Sequence, residues 1–268
     1  MSTILIDIAE GVQTLTLNRP ERRNAWTAEM ENDLRTALAE GSRNPAVRVM
    51  VLTGAGTAFC AGADAQFLKR LGSGEATISE TEADPWPEAR PELKGKFAMP
   101  AAVPKPVIAA VNGPAVGVGY ALALYSDIRF AGESAAFIAA FSRLGLIAEK
   151  GIDWALAGIV GQGRAAELLL SGRKLGAEEA LRFGLVSQVF PDSDLKDAVQ
   201  AYAAEMAAKV SPRSAAVIKR QLQGLRFDTP AEILARGERE LAASLKSSDF
   251  REAMSAMSEK RPPSFGDP

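Results

Sequence analysis

Apolar runs of strand length recur along this chain, and two of them end in turns of small residues that lead into helical patterns. VRVMVLT (47–53) runs into GAGTAFCAGAD (54–64), and VIAAVN (107–112) runs into GPAVGVG (113–119) with the apolar stretch YALALYSDI behind it. Strand signals alternating with helix signals require a sheet covered by helices, because each element has a face that only another layer can bury. The fold class expected is therefore layered α/β. Upstream, ILIDIAE and VQTLTLN flank Glu10-Gly11 as two strands around a tight turn. After Pro20, Thr27 is placed to cap a helix whose apolar side is Met30, Leu34 and Leu38. IRFAG reads as a further strand and WALAGIVG as a helix. From about residue 163 the pattern turns helical, interrupted by the short strand LVSQVF, and Ser211-Pro212 is a helix start with proline at the first helical position. The chain divides on this basis into a core, 1–195, and a helical region, 196–268, suited to packing on other subunits.

Residues 72–97 are polar, acidic and broken by three prolines. Strand signals resume directly afterwards, so the segment reads as a flap beside a pocket rather than a linker, the alternative being a plain surface insertion.

Composition narrows the chemistry. With 31 Lys and Arg against 33 Asp and Glu there is no basic excess, and no basic stripe interleaved with aromatics favours a nucleic-acid partner. Asp7 and Glu10 interrupt the N-terminal apolar stretch and argue against a signal peptide, and no run of about 18 apolar residues offers a membrane helix. A single cysteine, Cys60, permits no intramolecular disulfide, which fits a cytoplasmic protein. The chain has no histidine, which excludes Ser-His-Asp and Cys-His nucleophiles and His-ligated zinc. Acid–base work falls to Asp, Glu, Tyr, Lys or Cys, and no metal is expected.

The two glycine-bearing turns are not nucleotide cradles. They lack the lysine and hydroxyl of a phosphate loop, and Gly117 and Gly119 are followed by Tyr120, Ala121 and Leu122, which breaks a dinucleotide fingerprint. What they offer is backbone N–H groups at helix starts, where free donors and the helix dipole favour a developing negative charge. Two such turns side by side would form an oxyanion hole. Taken singly, each fits tight core packing equally well.

LNRPERRNAWT, AFCAGAD, KPVIAAVNGPAVGVGYALALYSDIRFA, AELLLSGRKLGAEEALRFGLVSQVFP and EKRPPSF, in this order and spacing, resemble the crotonase family, the enoyl-CoA hydratase and isomerase superfamily. The resemblance implies a spiral of ββα units with C-terminal helices that build trimers, often paired into hexamers. It implies an acyl-CoA substrate, with coenzyme A part of that substrate and no separate cofactor. The thioester oxygen would lie between the N–H groups of Ala63 and Val118, the latter at a position commonly glycine. Coenzyme A would run along Arg22, Arg23 and Ala25 and along Ala61 and Asp64, with Lys260 and Arg261 near a neighbouring subunit's ligand. Cys60, Tyr120 and Trp154 read as packing residues; Phe67, Phe141 and, as its alternative role, Trp154 are candidates to line the acyl pocket.

Hydratases of that family use two glutamates, and the matching positions here are Ala121 and Phe141. Both carboxylates are absent. The family's double-bond isomerases carry their acid where this chain has Glu149, among apolar neighbours such as Phe141 and Leu146 that would favour a basic carboxylate. Glu149 stands just before a helix read over 150–160; the alternative is that it merely sits in a helix first turn, where the dipole favours an acid. Asp153, one helical turn on, is the second candidate, and Asp127 at a helix exit reads as structural. The expectation is enoyl-CoA isomerisation. The alternatives are hydration, hydrolysis or lyase chemistry with one acid, or acyl-CoA binding without turnover.

Overall fold

The computed structural model describes residues 2–77, 86–149 and 151–266. The first hairpin forms where its turn can: Glu10 and Gly11 both take positive φ, 53° and 77°, the combination a two-residue hairpin turn needs. β1 (Ile4–Ala9) thereby pairs antiparallel with β2 (Val12–Leu17), Ala9 opposite Val12. Thr27 caps α1 (Ala28–Arg43) by accepting from the Met30 N–H, and Met30, Leu34 and Leu38 are wholly buried, as the spacing predicts. β3 (Val49–Gly54) leads through the first small-residue turn to α2 (Ala65–Gly72), and α3 (Met99–Ala102) precedes β4 (Val107–Val111). β5 (Pro114–Val116), α4 (Val118–Tyr125), β6 (Ile128–Gly132) and β7 (Ala136–Ile138) follow. Then come α5 (Ile152–Val160), α6 (Gln162–Ser171), β8 (Lys174–Gly176), α7 (Ala177–Arg182) and β9 (Gln188–Phe190). The chain ends in α8 (Leu195–Lys209), α9 (Pro212–Gly224), α10 (Pro230–Ser244) and α11 (Ser248–Glu259).

Two sheets result. One has strand order β1-β2-β3-β4-β6-β9, parallel beyond the hairpin, and the other has order β5-β7-β8. The central strands of the first are buried on both faces, which explains why VRVMVLT and VIAAVN read as unbroken apolar runs. Met50, Leu52, Ala109 and Val111 face the layer of α1 and α4, while Val49, Val51, Ile108 and Ala110 face Leu195, Val199 and Ala203 of α8. Helix α8, on the helical side of the sequence-based boundary, is thus a covering layer of the sheet.

The three-residue strands of the second sheet are too short to show a period of two, and the sequence does not announce them. Of the flap, residues 78–85 lie outside the described residues. Its remainder joins the core through buried Trp86, Leu93 and Phe97. Among the described residues no helix is long and apolar enough to cross a membrane.

Candidate active site

The two glycine-bearing turns lie against each other because a strip of backbone zips them together. The Cys60 N–H donates to the Pro114 carbonyl (3.1 Å), and the Val116 N–H donates to the Cys60 carbonyl (2.9 Å). On its other side the first turn pairs with residues 23–26. The Trp26 N–H donates to Gly62 O (2.7 Å), the Asp64 N–H to Trp26 O (3.1 Å) and the Ala61 N–H to Arg23 O (2.9 Å). In this parallel bridge Trp26 bonds to the residues either side of Ala63, so the N–H of Ala63 itself points away from Trp26. Val118 is the first residue of α4 and follows Gly117, whose side-chain-free cap leaves the helix-start N–H groups without a capping oxygen. Two backbone donors are thus presented by adjacent turns.

Small residues are required at these turns for stated reasons. Gly117 has φ 50° and ψ −105°, a conformation closed to residues with a side chain. A Cβ on Gly119 would stand 2.5 Å from the Cys60 carbonyl oxygen. Cys60 is wholly buried, and burial pushes its thiol up to about 12 although the N–H groups of Gly62 and Gly119 hydrogen-bond it. It packs, as read from the sequence, and so does Tyr120, which lies 5.7 Å from the Phe137 ring.

A residue the sequence reading passed over holds the first turn in place. Asn24 is completely buried with φ 55°; its Nδ2 donates to the carbonyls of Ala55 (2.9 Å), Ala58 (2.8 Å) and Phe59 (3.2 Å), and its Oδ1 accepts from the Arg19 N–H (2.9 Å). The signal available was an asparagine after Arg22-Arg23, a residue type that tolerates left-handed backbone.

Asp64 caps α2 by accepting from the Gln66 N–H (2.9 Å) and lies 3.6 Å from the Arg19 guanidinium. Ala25 and Ala61 flank the Trp26 bridge and are partly exposed. Arg22 and Arg23 are exposed at the surface beside it, and among the described residues neither has an ion pair. Phe67, on α2, is 38% exposed. Lys260 ends α11 in left-handed conformation and points to solvent, whereas Arg261 is engaged by Glu252 and Glu259. The sequence reading paired the two lysine and arginine side chains as ligand cations; the structure commits Arg261 to carboxylates of its own chain.

Ala121, in the first turns of α4, is buried, as is Phe141, so neither position brings a carboxylate. Glu149 sits on the loop that leaves β7, and both ends of that loop are fixed to α4. At one end the Gly117 N–H donates to the Ile138 carbonyl (3.1 Å); at the other, Gly151 packs so closely on the Tyr125 hydroxyl that a Cβ would stand 2.6 Å from it. Left-handed turns at Gly145 (φ 69°) and Gly151 (φ 71°) bracket the acid. Glu149 is half-buried, and its carbonyl accepts from the Ile152 N–H (3.3 Å).

Glu149 precedes α5, as the sequence places it, and does not lie in the helix's first turn, since the helix begins at Ile152. One sequence expectation needs correction here. Leu146 does not enclose the acid: the turn at Gly145 carries Leu146 and Ile147 to the surface, 49% and 79% exposed, and only Phe141 is buried. Asp153 is exposed on the first turn of α5. Burial raises the Tyr125 phenol above its ordinary range, Asp153 adds to this, and Arg226 opposes it.

Asp127 has the structural role its turn position suggests. Its Oδ2 accepts from the Val107 N–H (2.8 Å) and from Lys219 Nζ (2.7 Å), which also donates to the carbonyls of Pro100 (2.8 Å) and Lys105 (3.1 Å). This ties α9 to the core. Among the described residues no group of three or more Cys, Asp or Glu is placed to hold a metal ion.

Residues 7–268 match the family model described as enoyl-CoA hydratase/isomerase. The chain is 42% identical over 265 residues to a probable enoyl-CoA hydratase of Rhodobacter capsulatus, covering 98% of this chain and 97% of the relative. It is 39% identical over 276 residues to the 1,2-epoxyphenylacetyl-CoA isomerase of Escherichia coli, covering 99% and 98%. Among solved structures it resembles a probable enoyl-CoA hydratase/isomerase from Mycobacterium abscessus with a TM-score of 0.85 at 34% identity, covering 99% of both chains. The enoyl-CoA hydratase from Bacillus anthracis gives 0.85 at 31% identity, covering 98% of this chain and 99% of the other.

Proposed function

The chain belongs to the enoyl-CoA hydratase/isomerase family of the crotonase superfamily, and on that premise we propose that it shifts the double bond of an enoyl-CoA, with Glu149 as the single proton carrier. The carboxylate of Glu149 takes a proton from C2 of a 3-enoyl thioester. The C2–H electrons form a C2–C3 double bond, the C3–C4 pair moves to C4, and the returned proton at C4 gives the 2-enoyl isomer. No atom is gained or lost, so one acid suffices. Negative charge spreads to the thioester oxygen in the dienolate, where the N–H groups of Ala63 and Val118 stabilise it by about 2.7–4 kcal/mol per donor.

The observations that carry this reading are two adjacent turns, one offering the Ala63 N–H just before the α2 cap and the other the Val118 N–H at the start of α4, and one half-buried acid on a loop fixed to both ends of α4, while Ala121 and Phe141 supply no second carboxylate. The isomerase name of the Escherichia coli relative favours it too. Exposed Arg22, Arg23 and Lys260, with the backbone around Ala25, Ala61 and Asp64, are proposed to hold the coenzyme A portion of the substrate. Hydration is the second reading, favoured by the hydratase names among the relatives.

The test is conversion of 3-enoyl-CoA to the conjugated 2-enoyl-CoA, followed by ultraviolet absorbance. Glu149→Gln is expected to lower kcat at least about 10²-fold, the contribution of a positioned general base. A variant with intact turnover would remove Glu149 from the mechanism. Water addition to 2-enoyl-CoA without double-bond migration would replace isomerisation by hydration.

A homotrimer, or a pair of trimers, is proposed as the assembled form. Ile218, Leu222 and Leu225 of the α9 end and Leu234 and Leu241 of α10 line an exposed apolar groove, the kind of patch that subunit packing covers.

A further inference from the structure

Helix α4, which begins at Val118, and the loop that bears Glu149 also wall a cavity of about 440 Å³, whose mouth carries Glu92, Lys94 and Lys96 of the flap. Tyr125 enters it from the far end of α4, and Gly151 from the loop two residues after Glu149. Phe97 enters from the flap; its ring meets Trp26 edge-on at 6.3 Å, and Trp26 is the residue bridged to Ala63. Trp154 and Phe227 complete the aromatic wall.

These last two rings are fixed in an unusual way. They stack on each other at 5.1 Å with 27° between their planes. The Arg226 guanidinium lies 4.5 Å over the Trp154 ring and that of Arg90 lies 4.8 Å over the Phe227 ring. Arg90 is in turn held by Asp228 (2.9 Å), which also binds Arg236. With ring faces given to each other and to cations, the stack is left to offer its edges to a ligand. Aromatic edges carry partial positive charge and attract the electron-rich face of another ring more than they attract saturated carbon. An aliphatic chain gains only area burial there.

We propose that this cavity is an acyl subsite for a planar aromatic ring, so that the preferred substrates are aryl-bearing enoyl-CoA thioesters. The inference rests on the reading of the Ala63 and Val118 turns as the thioester site. From Val118 to Tyr125, α4 rises about 10 Å at 1.5 Å per residue. A four-carbon acyl chain anchored at the Val118 N–H does not cover that length, and one carrying a phenyl ring beyond the alkene does.

Saturated thioesters test binding without turnover. Titration calorimetry on the full-length protein would compare butanoyl-CoA, 4-cyclohexylbutanoyl-CoA and 4-phenylbutanoyl-CoA. The phenyl ligand is expected to bind about 10-fold tighter than the cyclohexyl ligand, which has the same carbon count. Trp154→Leu and Phe227→Leu, each checked for cooperative unfolding, are expected to bring that ratio close to one. Equal affinities of the two ring ligands for the wild-type protein would overturn the inference, with or without folded variants, and so would a phenyl preference that survives both substitutions. Butanoyl-CoA separates the levels. If it binds while ring preference is absent, the subsite falls and the thioester site stands; if no acyl-CoA binds, both fall.

Discussion

Replacing Gly119 by Ala sets helix propensity against the geometry of the oxyanion donors. Gly119 is in the first turn of α4, where alanine is the better helix former by about 1 kcal/mol. If local propensity decided, the variant would gain stability. The added Cβ, however, would stand 2.5 Å from the Cys60 carbonyl oxygen and 2.6 Å from the Cys60 Cβ, and ordinary contact begins at 3.4 Å. The difference, 3.4 − 2.5, asks the start of α4 to withdraw by about 0.9 Å from the strip that ends at Ala63. Overpacking of this kind costs about 1–3 kcal/mol, which outweighs the helical gain. The catalytic effect is larger. An oxyanion donor works within about 2.7–3.1 Å of the developing charge, so an opening of about 0.9 Å amounts to losing one of two donors, a fall in kcat of about 10²–10³. Because the charge develops only in the reaction, kcat is expected to drop while KM changes little. Steady-state kinetics on 3-enoyl-CoA and urea unfolding measure the two effects side by side. A Gly119→Ala protein that is more stable and turns over at the wild-type rate would refute both the contact argument and the placement of the donor at Val118.

Other outcomes follow from groups away from the donors. Lys219→Met strands the Asp127 carboxylate and removes the bonds to the Pro100 and Lys105 carbonyls, at an expected cost of about 3 kcal/mol; denaturant unfolding would show it, and an unchanged midpoint would mean that α9 is held by its apolar contacts alone. At the C-terminus, Glu252 accepts from Arg261 and from the Ser264 N–H, and these bonds, the arginine first, lower its carboxyl from 4.5 to about 2. A depressed carboxylate stabilises the docked tail above its unfolded-state value and loses that contribution as pH falls through the folded one, so the protection of the Arg261 and Ser264 amides against exchange, taken relative to the unfolded chain at the same pH, is expected to hold at pH 5 and to be lost between about pH 4.5 and 2.

Local rules made much of the fold legible. The Glu10-Gly11 turn, the Thr27 cap with its Met30, Leu34 and Leu38 stripe, and the Ser211-Pro212 helix start each depend on residues within about two turns of one another, and each stands where the sequence places it. The same holds for the absence of carboxylates at Ala121 and Phe141 and for the exclusion of histidine chemistry, since identity alone decides them. Other features depend on partners far along the chain. Asn24 acquires its meaning from three carbonyls 31 to 35 residues away, and Asp127 from a lysine 92 residues away. Leu146 is apolar yet exposed, because a left-handed glycine before it turns the loop outward.

The sequence by itself determined which backbone turns and which acid are proposed for chemistry on a thioester: covalent identity and short-range periodicity are enough to identify small residues between strands and helices and a glutamate on the loop after β7. The tertiary structure alone decided that the two turns are zipped together, that the loop bearing Glu149 is fixed to both ends of α4, and that Trp154, Phe227, Arg226 and Arg90 form one stack. Those arrangements are made by hydrogen bonds and ring contacts between segments distant in sequence, and no local pattern encodes which distant surface a residue will meet.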